Sequence, residues 1–133
     1  MNKPLIFIVD KDTVASRTLE YYLRARKHHK IQVFISGEDC LHRLRRDMAP
    51  DVLIADYELG DYHGLAFLQS VKMIHPGLHV VFFSSDENPE HAREVLSAGA
   101  LDFVLKRSGN QLNIKELVQN LEYALQEMIM VGR

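Results

Sequence analysis

Five short apolar runs alternate along the chain with stretches in which apolar residues recur every three or four positions. The runs occupy residues 5–9, 31–35, 51–55, 79–83 and 102–105. Because apolar and polar residues do not alternate within them, they predict strands buried on both faces, as in a parallel sheet covered by helices. With right-handed crossovers, the pattern predicts one doubly wound α/β domain over residues 1–133, with five strands and five helices.

The helical stretches carry start signals and predicted buried faces. Ser36 with Asp39, and Asn113 with Glu116, have the spacing of a capping box, and Asn88 precedes a proline at a first helical position. The predicted core-facing residues are Ala15, Thr18, Leu19, Tyr22 and Leu23 in the first helix, and Leu41, Leu44 and Met48 in the second.

Polar side chains follow four of the predicted strands at their carboxyl ends, and these ends meet at one edge of an open parallel sheet. The residues are Asp10, Lys11 and Asp12 after the first strand, Asp56 after the third, Ser84 after the fourth and Lys106 after the fifth. A carboxylate can act as a nucleophile, while a metal, a hydroxyl and an ammonium neutralise a transferred group. The pattern therefore predicts a phosphoryl-transfer site.

Composition narrows the class of protein. Apolar residues make up 47% of the chain and charged residues 26%, the balance of a globular domain. A formal net charge of −2 gives no indication of a nucleic-acid partner, and no run approaches the roughly 20 apolar residues of a membrane span. The single cysteine, Cys40, cannot form an internal disulfide and suits a reducing compartment, so we expect a cytoplasmic protein.

The order of acidic cluster, Asp56, Ser84 and Lys106 resembles the receiver domain of two-component response regulators. The setting of Asp56 in DVLIADYELGDYHG and of Lys106 in GALDFVLK carries the resemblance, which covers essentially the whole chain. It implies a flavodoxin-like fold with strand order 2-1-3-4-5. It also implies that Asp56 accepts a phosphoryl group from a histidine kinase or a phosphotransfer protein, and that Ser84 and Phe103 act as the switch residues.

The resemblance has three further implications. The domain is not an enzyme beyond its own phosphorylation and dephosphorylation. Mg²⁺ is the expected cofactor, with Asp10, Asp12, Asp56 and Glu58 as its residues. The surface formed by the fourth helix, fifth strand and fifth helix is expected to bind an output partner or a second copy of the chain.

The chain departs from the usual receiver pattern at four places. Lys11 stands where a second acid usually binds the metal, Leu59-Gly60 replaces Met-Pro, His63 replaces the aspartate before Gly64, and Arg107 replaces a proline. A unit charge about 6 Å from a divalent ion costs roughly 5 kcal/mol at an effective dielectric constant near 20. Two arrangements would relieve this cost: the Lys11 amine can extend into water, and Asp12 can supply the missing carboxylate.

Two other functions are compatible with these residues. The segment from Asp10 to Val14 is similar to the first motif of haloacid-dehalogenase-type phosphatases, although that family also needs two metal-binding acids at a strand end after the lysine. The second alternative, which Lys11 and Arg107 favour, is a receiver-like binding module that no longer uses phosphorylation.

Overall fold

The computed structural model describes residues 3–28, 30–46 and 49–130, which form seven strands and five helices. In chain order these are β1 (Leu5–Val9), α1 (Thr13–Ala25), β2 (Lys30–Phe34), α2 (Gly37–Arg46), β3 (Val52–Ala55), α3 (Gly64–Ile74), β4 (His79–Ser84), α4 (Pro89–Ser97), β5 (Asp102–Leu105), β6 (Arg107–Ser108), β7 (Gln111–Leu112) and α5 (Ile114–Met130).

The five predicted strands form one parallel sheet in the order β2-β1-β3-β4-β5, which confirms the predicted topology. Helices α2, α3 and α4 cover one face, where Leu41, Phe67 and Val95 pack in a buried cluster. Helices α1 and α5 cover the other face, where Leu19 and Leu121 belong to a second cluster. The sheet is thus buried on both sides, as strands without apolar–polar alternation require.

Four strand boundaries differ from the predicted ones by one residue. β2 begins at Lys30 rather than at residue 31 and ends at Phe34 rather than at residue 35, and Ile35 is 58% exposed. β3 begins at Val52, and β4 continues to Ser84, so that the serine belongs to the strand itself.

The buried face of α1 is rotated from the predicted one. Ala15, Ser16, Leu19 and Leu23 are buried, whereas Tyr22 is 46% exposed. At 100° per residue, Tyr22 lies at the edge of the arc that these four residues define, so its inclusion in the core was wrong. In α2, Leu41 and Leu44 are buried as predicted, and Met48 lies outside the described residues.

Side chains cap the N-termini of three helices, α1, α2 and α4. Asp12 Oδ1 accepts the N–H groups of Val14 and Ala15 at 3.1 Å. Ser36 Oγ accepts the Asp39 N–H at 3.1 Å, and Asn88 Oδ1 accepts the Glu90 N–H at 3.0 Å, as predicted. The capping box predicted at α5 is not formed in its usual way. The Asn113 side-chain amide instead donates to the Glu116 carboxylate and to the Leu105 carbonyl.

A small hairpin that the sequence did not indicate separates β5 from α5. Strands β6 and β7 pair antiparallel, and Gly109 in their turn has a φ of +64°, a conformation that favours glycine. The hairpin follows Lys106 directly and stands beside the carboxyl edge of the sheet.

Candidate functional site

The hydrogen-bond ladder of the sheet continues into the predicted site residues. The Asp10 N–H donates to Phe34 O at 2.9 Å, and the Asp56 N–H donates to Val9 O at 3.1 Å. The Lys106 N–H donates to Ser84 O at 2.7 Å. Regular strand pairing therefore sets the backbone positions from which all three charged side chains project.

Lys106 lies between two buried carboxylates. Its Nζ is 2.8 Å from Asp10 Oδ2 and 2.9 Å from Asp56 Oδ2, and a third acid, Asp12, has its Oδ2 4.0 Å away. Lys106 is 1% exposed, Asp10 4% and Asp56 8%. Strand ends β1, β3 and β5 thus meet in one group of charges, as the sequence predicts.

Burial and charge oppose each other in this group. Burial raises the pKa of Asp10 above its ordinary value, although the hydrogen bond from Lys106 lowers it. Burial alone would lower the pKa of Lys106, but hydrogen bonds and charges from Asp10 and Asp56 outweigh it and raise that pKa. The lysine is therefore a firmly held cation, whereas the charge on Asp10 is costly to keep buried.

Ser84 lies at the end of β4, 1% exposed, and its Oγ accepts the N–H of Asp86 at 3.1 Å. Phe103 sits opposite Phe82 in the sheet register, and the two rings stack with centroids 6.1 Å apart. Phe103 is half-buried against the cluster beneath α2, α3 and α4. Both predicted switch residues therefore belong to the β4–β5 pair, on the face that α4 covers.

The predicted metal ligands are not all brought together. Asp12 uses Oδ1 to cap α1, and its Oδ2 faces Lys106. The Glu58 carboxylate accepts the Gly60 N–H at 2.8 Å, within its own loop. Among the described residues, no group of three or more histidine, cysteine, aspartate or glutamate side chains has the arrangement of a metal site.

The donor chemistry nevertheless fits Mg²⁺. The ion prefers oxygen ligands and usually needs only one or two carboxylates, with phosphate and water completing its shell. Asp10 and Asp56 supply two buried carboxylates at one point. Lys11 is exposed, and its Cδ lies 3.9 Å from the point where a Cβ on Gly60 would stand. Its exposure agrees with the first of the two arrangements, in which the amine extends into water.

The phosphatase alternative lacks its metal-binding acids in the described part of the chain. The acids after Lys106 are Glu116, Glu122 and Glu127, and all three lie on α5. None stands at the end of a further strand, where that family holds its metal.

Three residues next to the site were not predicted. The Tyr57 ring stacks on the His91 ring with centroids 4.6 Å apart and planes 8° apart. His91 Nδ1 lies 2.8 Å from Asp86 Oδ2. The sequence offers no local signal for this group, because Tyr57 and His91 are separated by 34 positions and meet only when α4 packs on the sheet.

A response regulator receiver domain model matches residues 6–122. The chain belongs to this family. Receiver domains generally bind Mg²⁺ at their phosphorylation site, and membership favours the receiver over the phosphatase alternative.

The transcriptional regulatory protein ZraR of Salmonella typhimurium is 29% identical over 120 residues, 90% of this chain and 26% of that protein. The chain thus spans about a quarter of the length of the curated relatives it matches. A CheY-like receiver domain from Methanospirillum hungatei superposes with a TM-score of 0.85 at 19% identity, covering 98% of this chain and all of the other. The beryllofluoride-activated NtrC4 receiver domain dimer superposes with a TM-score of 0.79 at 16% identity, covering 92% of this chain and 96% of the other.

Within the described ranges, no helix is both long and apolar enough to cross a bilayer.

Proposed function

We propose that this receiver domain is a phosphorylation-dependent switch in which Asp56 accepts a phosphoryl group from a histidine kinase or a phosphotransfer protein. One observation carries the proposal: the buried Lys106 ammonium contacts both Asp56 and Asp10 at hydrogen-bond distance. A cation held in that position can stabilise the negative charge of a phosphoryl group as it arrives.

The transfer forms one bond and breaks another. Asp56 Oδ2 is bonded to Lys106, so Oδ1 is the oxygen we expect to attack phosphorus. The P–N bond to the donor histidine breaks, and its electron pair remains on the imidazole nitrogen, which then takes up a proton. Such a domain is a phosphoacceptor rather than an enzyme, beyond catalysing its own phosphorylation and dephosphorylation.

Asp10, Asp56 and Asp12, through the oxygen that does not cap α1, would hold Mg²⁺, with Glu58 as a further candidate from the loop after β3. When bound, the ion neutralises oxygens of the transferred phosphoryl group. Lys106 holds the two buried carboxylates together, while Lys11 is exposed.

The signal is proposed to leave through the surface of α4, β5 and α5, to an output partner or a second copy of the chain. The apolar side chains exposed there include Leu96, Leu105 and Tyr123. Ser84 and Phe103 lie directly beneath this surface, on β4 and β5. The NtrC4 receiver domain, a neighbour in fold, is a dimer.

We place the protein in the cytoplasm because its free thiol, Cys40, suits a reducing compartment.

Intact-mass measurement after incubation with acetyl phosphate and Mg²⁺ tests the proposal. One phosphate should be added to the wild type, and Asp56→Asn should abolish the addition. Asp39→Asn, which changes an exposed acid on α2, is the matched control and should react like the wild type.

The other outcomes separate the alternatives. Label that persists in Asp56→Asn and disappears in Asp10→Asn would establish the phosphatase mechanism. No label on the wild type, with either acetyl phosphate or a phosphorylated kinase domain, would favour the binding module.

A further inference from the structure

The Tyr57 ring lies between the strand of the phosphoryl acceptor and α4. Tyr57 directly follows Asp56 and is 6% exposed. Gly64 leaves room for the ring, since a Cβ at that position would come within 2.2 Å of Tyr57 Cδ2. On its other side the ring stacks on His91, at 4.6 Å between centroids. Tyr57 therefore provides α4 with a packed contact immediately beside the acceptor.

Asp86 connects His91 with Ser84. Its Oδ2 lies 2.8 Å from His91 Nδ1, and its Oδ1 accepts the Asn88 N–H at 2.9 Å. Its own N–H donates to Ser84 Oγ at 3.1 Å. A continuous set of contacts thus runs from Tyr57 through His91 and Asp86 to Ser84.

We infer that His91 is a positioning residue that clamps the first turn of α4 to the acceptor strand in the unmodified protein. The clamp consists of the bond to Asp86 and the stack on Tyr57. A shift of Ser84 toward a phosphoryl group either pulls the Asp86 backbone with it or breaks their bond. In the first case Asp86 moves away from His91, and in the second it loses the bond that fixes its backbone, so that either way the clamp is weakened. The release, though not the clamp, rests on the proposed function.

Amide hydrogen exchange in the unmodified protein tests the clamp. His91→Phe keeps a ring for Tyr57 and removes the nitrogen that bonds Asp86. We expect exchange of the Asp86 amide, and of the Ala92 amide that donates to Asn88 O, to accelerate on the order of tenfold, the effect of losing one hydrogen bond to a charged group. Unchanged exchange in this variant would overturn the inference.

His63→Phe is the matched control. The His63 ring also stacks on Tyr57, at 6.4 Å between centroids and 23° between planes, but among the described residues it bonds no carboxylate. Exchange in α4 should stay at the wild-type rate in this variant. Equal acceleration in the two histidine variants would mean that ring packing alone holds α4, and the proposed role of the Asp86 bond would be wrong.

A double-mutant cycle isolates the bond between the pair. Asp86→Ala removes the bond to His91 and also the acceptor of the Asn88 N–H. It should therefore accelerate amide exchange more than loss of the His91 bond alone. If His91 acts through Asp86, adding His91→Phe to Asp86→Ala should accelerate exchange of the Ala92 amide no further. Multiplicative effects of the two substitutions would contradict the mechanism.

Binding of beryllofluoride with Mg²⁺, a substitute for the phosphoryl group, tests the release. Because the bound state no longer has to break the clamp, His91→Phe should bind on the order of tenfold more tightly than the wild type. Equal affinity would overturn the release. A wild type that binds no better than Asp56→Asn would refute both the release and the proposed function, while the exchange rates would still decide the clamp.

Discussion

Replacing Lys106 by methionine removes the ammonium but keeps most of the buried side-chain volume. Asp10 and Asp56, whose oxygens are 2.8 Å and 2.9 Å from Nζ, then remain buried beside each other without their common counter-charge. Removing one partner of a buried ion pair costs about 3–5 kcal/mol, a large share of the roughly 5–15 kcal/mol that holds a domain folded. We expect a loss of about 3–5 kcal/mol in the free energy of unfolding at pH 7.

Acid should restore part of this loss. Without Lys106, the hydrogen bond and charge that lower the pKa of Asp10 are gone, and burial, which raises it, remains. An acid whose folded-state pKa lies above its unfolded value stabilises the fold as pH falls through that folded pKa. The deficit should therefore be smaller at pH 5 than at pH 7. In the wild type, the pKa of Lys106 is raised above its ordinary value of 10.5, and the stabilisation that this gives is complete below pH 10.5. It therefore stays constant between pH 5 and pH 7.

Urea unfolding followed by circular dichroism at the two pH values measures the effect. Lys72→Met is the control, because Lys72 Nζ is partly buried but donates to the carbonyls of Leu78, at 2.6 Å, and Pro76. We expect a loss of about 1.5 kcal/mol that does not change between pH 5 and 7. Equal losses in the two variants, or a Lys106→Met deficit that acid leaves unchanged, would refute the argument about paired carboxylates.

Three further predictions concern the metal, the switch and the core. Lys11→Asp exchanges a positive for a negative charge near the acids and should tighten Mg²⁺ binding by about tenfold or more in a calorimetric titration; unchanged affinity would show that the exposed amine has no influence on the ion. Ser84→Ala should keep some phosphorylation but lose its effect on self-association, since Phe103 no longer gains space when the hydroxyl moves; equal sedimentation changes in phosphorylated wild type and variant would contradict this. Burial raises the pKa of the Cys40 thiol to about 12, so only roughly one thiol in ten thousand is ionised at pH 8. Iodoacetamide should therefore label it only in denaturant, and rapid labelling of the native protein would be the contrary result.

Sequence patterns predict those parts of this fold that depend on local residues or on sheet geometry. The strands could be located because each is buried on both faces, and the meeting of Asp10, Asp56 and Lys106 follows from the common edge of parallel strands. The edges of elements are less well defined, because the residue after β2, Ile35, is apolar and yet exposed.

Contacts between distant segments could not be predicted. The stack of Tyr57 on His91 depends on how α4 packs, and the hairpin of β6 and β7 is too short to produce a periodic pattern. The burial of Ser16 in place of Tyr22 depends on how α1 packs against α5, next to which Arg26 and His28, just after α1, bond Glu122. For the Tyr57–His91 stack and for α1 the deciding partner lies tens of residues away, whereas the two strands of the hairpin are neighbours in the sequence.

The loop that follows the acceptor is fixed to α2, so the two sides of the site are not held equally firmly. Asp61, in that loop, accepts the N–H groups of Gly37 and Glu38 at the start of α2, at 3.0 Å and 2.9 Å. A carboxylate at a helix N-terminus is held by both hydrogen bonds and the helix dipole, so this wall of the site is braced against α2. The opposite wall, formed by the loop from Ser84 to Asn88, is held to the acceptor strand through the ring contact between Tyr57 and His91. When Asp56 is modified, we therefore expect the loop from Ser84 to Asn88 and α4 to move, and the loop bonded to α2 to stay in place.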